Sequence, residues 1–234
     1  MKGNKIAMIG GSGFVGSRLA ARFDLGTSQY SICDINTKNS SDNVIYLDVE
    51  DDESLDKLEG FESIINLAAV HRDDVQPLTR YDDVNVQGAV NVCKAARKHN
   101  ISKIIFTSSV AIYGFAPADT DESGKPNYFN DYGRTKYLAE GVYKEWHAED
   151  PNSRTLVVIR PTVIFGEGNR GNVYNLLKQI ASQRFVMFGG GNNRKSMAYI
   201  ENVVAFIEYS LSFKAGLHIY NYIDKPDFDM NTLI

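Results

Sequence analysis

The sequence predicts an α/β protein: a doubly wound parallel sheet with a smaller C-terminal substrate lobe. Two observations carry this expectation. Short β-rich runs alternate with helical segments up to about residue 165, and the first of these runs leads directly into a glycine-spaced turn.

That first run, Ile6 to Ile9, reads as a strand, and a helix is expected over Val15 to Phe23. Between them lies Gly10-Gly11-Ser12-Gly13-Phe14-Val15-Gly16, spaced G-x-x-G-x-x-G. Gly10 can take the unusual dihedrals of the turn, Gly13 lets the backbone approach a pyrophosphate, and Gly16 allows close helix–strand packing. Amides of the first helical turn, around Phe14 and Val15, then point at the anion. A glycine-rich turn that holds nothing would have the same spacing, so the next strand matters. Tyr30 to Cys33 ends at Asp34, where a carboxylate can accept both hydroxyls of an adenosine ribose and repel a 2′-phosphate. The expected ligand is therefore NAD rather than NADP, in a Rossmann-type domain. Lys38 on the same loop weakens that preference.

Further strands are expected at Val44 to Leu47, Ser63 to Leu67, Lys103 to Thr107 and Thr155 to Ile159. Helices are expected at Asp52 to Leu58, Val84 to His99, Tyr132 to Ala148, Val173 to Ser182 and Ile200 to Ser212. In such a sheet ligands bind beyond the carboxyl ends of the strands, which would gather Asp34, Asp48, Ala68, Ala69, Ser108 and Ser109 at one rim. After about residue 165 the composition turns loop-rich and polar. The expected organisation is a dinucleotide domain over 1–165 and a partial substrate lobe over 166–234, with the helix from Ile200 packing back on the first domain. The amphipathic start near Asp229 suggests that this lobe continues beyond Ile234.

Composition narrows the class. The 234 residues are 43% hydrophobic and 23% charged with net charge −4, as in soluble globular domains. No clustered basic face suggests nucleic acid, and no apolar run approaches the roughly 18 residues of a membrane span. A cytoplasmic protein is expected. The two cysteines, Cys33 and Cys93, and four scattered histidines lack metal-site spacing, so no metal is expected.

The chemistry-bearing segment is Asn130-Asp131-Tyr132-Gly133-Arg134-Thr135-Lys136. Its Y-x-x-x-K spacing puts Tyr132 and Lys136 on one helix face. A phenol is a poor base at neutral pH unless a nearby ammonium favours the phenolate, which Lys136 can do. Tyr132 would then take a proton from a substrate hydroxyl while hydride leaves the same carbon. Ser109, ending the strand after Thr107, is expected to hydrogen-bond the substrate oxygen.

With these motifs the chain resembles the extended short-chain dehydrogenase/reductases, specifically the NAD-dependent epimerase/dehydratase group acting on nucleotide sugars. Asn66 to Ala69, Asn85 to Gly88, Tyr113-Gly114, Arg160-Pro161 and Phe165-Gly166 also fit its pattern. The resemblance implies that Asp48 and Val49 contact adenine and that Leu67, Ala68, Ala69, Asn85, Thr107 and Pro161 line the cofactor. It makes Ser109, Tyr132 and Lys136 the catalytic set and gives the substrate diphosphate to Asn172 and to Lys195 or Arg194. A homodimer is expected by the same token.

Two departures bear on the reaction. Dehydratases of the group carry Asp-Glu where this chain has Val110-Ala111, which argues against elimination. Val163 stands where many epimerases place an asparagine. The expected function is C4 epimerisation of a UDP-sugar. A 4-keto-sugar-nucleotide reductase and a non-catalytic NAD-binding sensor are the alternatives.

Overall fold

The computed structural model describes residues 5–37, 44–72, 74–187 and 189–234, so Lys38 lies outside the described residues. The first half runs β1 (Lys5–Ile9), α1 (Phe14–Asp24), β2 (Gln29–Asp34), β3 (Val44–Tyr46), α2 (Asp52–Leu55), β4 (Ser63–Asn66), α3 (Thr79–Tyr81), α4 (Gly88–Lys98) and β5 (Lys103–Thr107). Then come α5 (Asp131–Ala148), β6 (Thr155–Pro161), β7 (Val163–Phe165), α6 (Asn172–Ala181), β8 (Arg194–Lys195) and β9 (Met197–Tyr199). The chain continues through α7 (Ile200–Ser210), β10 (Gly216–Tyr222), β11 (Phe228–Asp229) and α8 (Met230–Leu233).

Seven strands form one parallel sheet in the order β10-β6-β5-β4-β1-β2-β3. Strands buried on both faces read as continuous apolar runs, and β1, β4 and β6 do so. One face buries Leu55 from α2, Val92 from α4 and Tyr143 and Trp146 from α5; the other buries Leu19, Phe23, Val203 and Ile207 from α1 and α7. The double winding expected from the alternation is therefore present, and all carboxyl ends lie at one rim.

Three expectations need correction. The helix expected from Val84 begins as regular α-helix only at Gly88, because 82–87 winds in wider turns. The Asp52 helix changes to 3₁₀ geometry over 56–58. The edge strand β10 was not expected; it pairs with β6 from Gly216–Thr155 to Tyr222–Pro161. Residue 165 is thus not a clean boundary, since α7 packs on α1 and β10 joins the sheet. The short pair β8–β11, with α6 and α8, lies outside the seven-stranded sheet. No helix among the described residues is long and apolar enough to cross a membrane.

Candidate active site

The glycine turn leaves β1 at Gly10, whose φ of +75° is the left-handed conformation glycine adopts freely. A Cβ there would lie 2.6 Å from the Ala68 amide nitrogen, so the turn and the end of β4 are in backbone contact. At Gly16 a Cβ would meet the Gly11 carbonyl oxygen at 2.3 Å, which explains why helix and turn need glycine there. Gly13 caps α1 without a side-chain hydrogen bond, and no acidic residue occupies the first helical turn. The leading amides, including those near Phe14 and Val15, thus remain available to an anion.

Asp34, at the end of β2, accepts hydrogen bonds from the Ser12 amide at 2.9 Å and the Asn36 amide at 2.8 Å. Its carboxylate is thereby fixed beside the glycine turn. Asp48 accepts from the Glu50 amide at 3.0 Å, and Val49 is buried with its carbonyl held by Asn91 at 2.9 Å. Leu67, Ala68 and Ala69 follow β4 at the rim and are half-buried. Together, a glycine cradle, an uncapped helix start and an anchored strand-end carboxylate fit an adenine dinucleotide.

Asn85, expected among the cofactor contacts, is bonded within the protein. Its Oδ1 accepts from the Val70 amide at 2.8 Å, and its Nδ2 donates to the Val70 carbonyl at 3.0 Å and to Thr135 Oγ1 at 2.9 Å. Through these bonds Asn85 braces the segment after β4 against α5.

Ser109, Tyr132 and Lys136 converge. Asn130 caps α5 by accepting from the Gly133 amide at 2.9 Å, which starts the helix just before Tyr132. Burial pushes the Tyr132 phenol up, and a hydrogen bond with the Ser109 hydroxyl works in the opposite direction. The Lys136 ammonium donates to the Thr107 carbonyl at 2.8 Å and lies 5.9 Å from the Tyr132 ring centroid. Lys136 is only 2% exposed; burial pulls it down to about 7, with the Glu140 charge opposing. Thr107 also donates to the Asn66 carbonyl at 3.1 Å, and buried Pro161 ends β6 at the same rim. Sequence reading missed Glu140, although it continues the Tyr132–Lys136 spacing by one more helical turn, and gave Arg160 no role beyond its place in the family pattern; both lie beneath this set. A lone charge in the apolar strand Thr155–Pro161 was the signal for Arg160.

The expected diphosphate residues are less closely gathered. Asn172 opens α6 behind Gly171, which has no side-chain cap. Arg194 and Lys195 line a cleft of about 690 Å³ with Gln179, Arg184, Phe185 and Met230, and Asn172 is not part of that lining. Burial pushes both Cys33 and Cys93 thiols up to about 12, which removes them as nucleophiles.

Fold and rim define a dinucleotide-binding α/β protein with a serine–tyrosine–lysine site. The family model described as NAD dependent epimerase/dehydratase family matches residues 6–222. The N-acetyl-alpha-D-glucosaminyl-diphospho-ditrans,octacis-undecaprenol 4-epimerase of Escherichia coli O157:H7 is 48% identical over 241 residues, covering 99% of this chain and 70% of that relative. The UDP-glucose 4-epimerase of Vibrio cholerae is 28% identical, covering 95% and 71% respectively. Among solved structures, MoeE5 in complex with UDP-glucose and NAD superposes with a TM-score of 0.85 at 20% identity, over 98% of this chain and 79% of that one. This chain belongs to the NAD-dependent epimerase/dehydratase family.

Proposed function

We propose that the chain is an NAD-dependent sugar epimerase that inverts C4 of a diphosphate-linked sugar, with a nucleotide sugar as substrate. The observation that carries this reading is the convergence of Ser109, Tyr132 and Lys136 at the rim beside the glycine cradle. Gly10 to Gly16 and Asp34 would hold NAD, which would supply the hydride acceptor and, once reduced, the hydride donor. Tyr132 takes the proton of the sugar hydroxyl and later returns it, Lys136 keeps a positive charge beside the phenolate, and Ser109 orients the oxygen. Val110 and Ala111 stand where dehydratases of the group carry an acid and a base, which favours epimerisation over elimination. Asn172, Arg194 and Lys195 would hold the diphosphate; lysine does so as a point charge and arginine as a fork. A cytoplasmic homodimer, with the half-exposed Val90, Tyr137 and Leu138 of α4 and α5 at its seam, completes the reading.

A second reading of the substrate comes from the E. coli relative, whose name specifies a polyprenyl-linked diphospho-sugar. Incubation with UDP-N-acetylglucosamine, UDP-glucose and undecaprenyl-diphospho-N-acetylglucosamine, with products resolved by chromatography and NMR, separates the two. The C4 epimer is expected without net cofactor consumption. Conversion of the polyprenyl substrate alone would overturn the nucleotide-sugar assignment. Net oxidation of a reduced nicotinamide by a 4-keto sugar nucleotide would indicate a reductase.

A further inference from the structure

A buried charged cluster beneath the rim is not used by the proposed chemistry. Glu140, 0% exposed, follows Lys136 by one turn of α5. Arg160 from β6, 4% exposed, donates to it twice: Nε to Oε1 at 2.8 Å and Nη2 to Oε2 at 2.7 Å. Ser108 Oγ donates to Oε1 at 2.6 Å, and Lys144 donates to Oε2 at 3.1 Å. Arg160 also donates to the Tyr113 hydroxyl at 2.5 Å, which in turn donates to Asn221 at 2.9 Å.

A buried ion pair is a poor stability device, because desolvating both charges offsets most of their attraction. What this pair does supply is position. Ser108 is held through its side chain by Glu140 and through its amide by the Ile159 carbonyl at 2.7 Å, and its neighbour is Ser109. We propose that Glu140 is a positioning residue for the site: it pins the Ser108–Ser109 strand end and keeps a fixed negative charge one helical turn behind Lys136. The proposal rests on the assignment of Ser109, Tyr132 and Lys136 as the reacting set.

The surroundings of Lys136 leave Glu140 as its carboxylate partner among the described residues. From β5 it meets only the Thr107 carbonyl and the Phe106 ring, 4.7 Å from the ring centroid. From α5 it faces Tyr132 and Glu140, while Tyr143 is bonded to Asn66 of β4. Arg160 and Lys144 neutralise Glu140 from its far side, and Tyr113 is tied to Arg160. Glu140 itself would be raised by burial, but hydrogen bonds from Arg160 and Ser108 and the nearby cations hold it below the usual carboxylate range. Both members of the pair are thus ionised at neutral pH, and the Glu140 carboxylate opposes the loss of the Lys136 proton.

Two variants in the full chain test this. Glu140→Gln keeps an acceptor for Ser108 and deletes the charge; Glu140→Gln combined with Arg160→Met also removes the stranded cation, which protects folding. ¹³Cε-lysine NMR, with Lys136→Met giving the assignment, reads the Lys136 titration directly. In Glu140→Gln the midpoint is expected to fall by about one pH unit, the effect of deleting one nearby opposite charge. In the double variant it stays below the wild-type value, and in both the alkaline limb of any turnover moves the same way. An unchanged midpoint in Glu140→Gln, or a return to the wild-type midpoint in the double variant, overturns the proposal. The titration does not require turnover, so an inactive wild-type chain would defeat the epimerase assignment while this result still stood or fell alone.

Discussion

Replacing Tyr132 with phenylalanine should reduce turnover by about 10²- to 10⁴-fold, the range for loss of a positioned acid–base group. The aromatic ring remains, so its contact with Lys136, 5.9 Å from the ring centroid to the ammonium, is kept. Only the hydroxyl is lost, together with its hydrogen bond to Ser109. Asn130 still caps α5, and the glycine turn and Asp34 belong to other elements, so fold and NAD binding should be retained. Turnover and bound nicotinamide measured on the same sample check this. Residual turnover within tenfold of wild type would remove Tyr132 from the chemistry.

The second large effect is expected at Gly10. Gly10→Ala forces a β-carbon into a backbone with φ of +75° and within 2.6 Å of the Ala68 nitrogen and 2.9 Å of the Leu67 carbonyl carbon. Left-handed strain of about 1–2 kcal/mol and overpacking of about 1–3 kcal/mol act together. The neighbouring atoms are main chain, so a change of rotamer cannot relieve the clash. At roughly 2–4 °C per kcal/mol for a chain of this size, Tm should fall by about 5–15 °C. Gly13→Ala is the control, since its added carbon meets only the Gly10 carbonyl oxygen, at 3.3 Å. That variant should melt near the wild-type temperature yet bind NAD at least about tenfold more weakly, because the carbon stands between backbone and pyrophosphate. Equal stability of Gly10→Ala and wild type would show that the turn tolerates a side chain.

Much of this architecture was legible in the sequence because parallel strands buried on both faces announce themselves as short apolar runs. Ile6 to Ile9 and Lys103 to Thr107 are found at or within one residue of their expected bounds. β10 escaped notice because Gly216–Tyr222 mixes His218 and Asn221 with aromatics at a half-buried edge, so it has no such run. Tyr132 and Lys136, the proposed reacting pair on α5, were legible for a different reason, since i, i+4 spacing turns sequence directly into proximity on a helix. Asn85 shows the limit of motif reading. Its letter alone does not encode the bonds its amide makes to Val70 and Thr135. The Glu140–Arg160 pair is formed between α5 and β6 across the core, a contact that no local pattern encodes.

In the proposed reaction one carbon is oxidised and re-reduced within a single site whose proton acceptor is Tyr132. The most direct measurement follows UDP-N-acetylglucosamine carrying deuterium at C4, incubated with the protein in ordinary water, with the product read by mass and NMR. The C4 epimer is expected to form with its deuterium still at C4. An epimer that has exchanged its deuterium for solvent hydrogen would contradict that reaction.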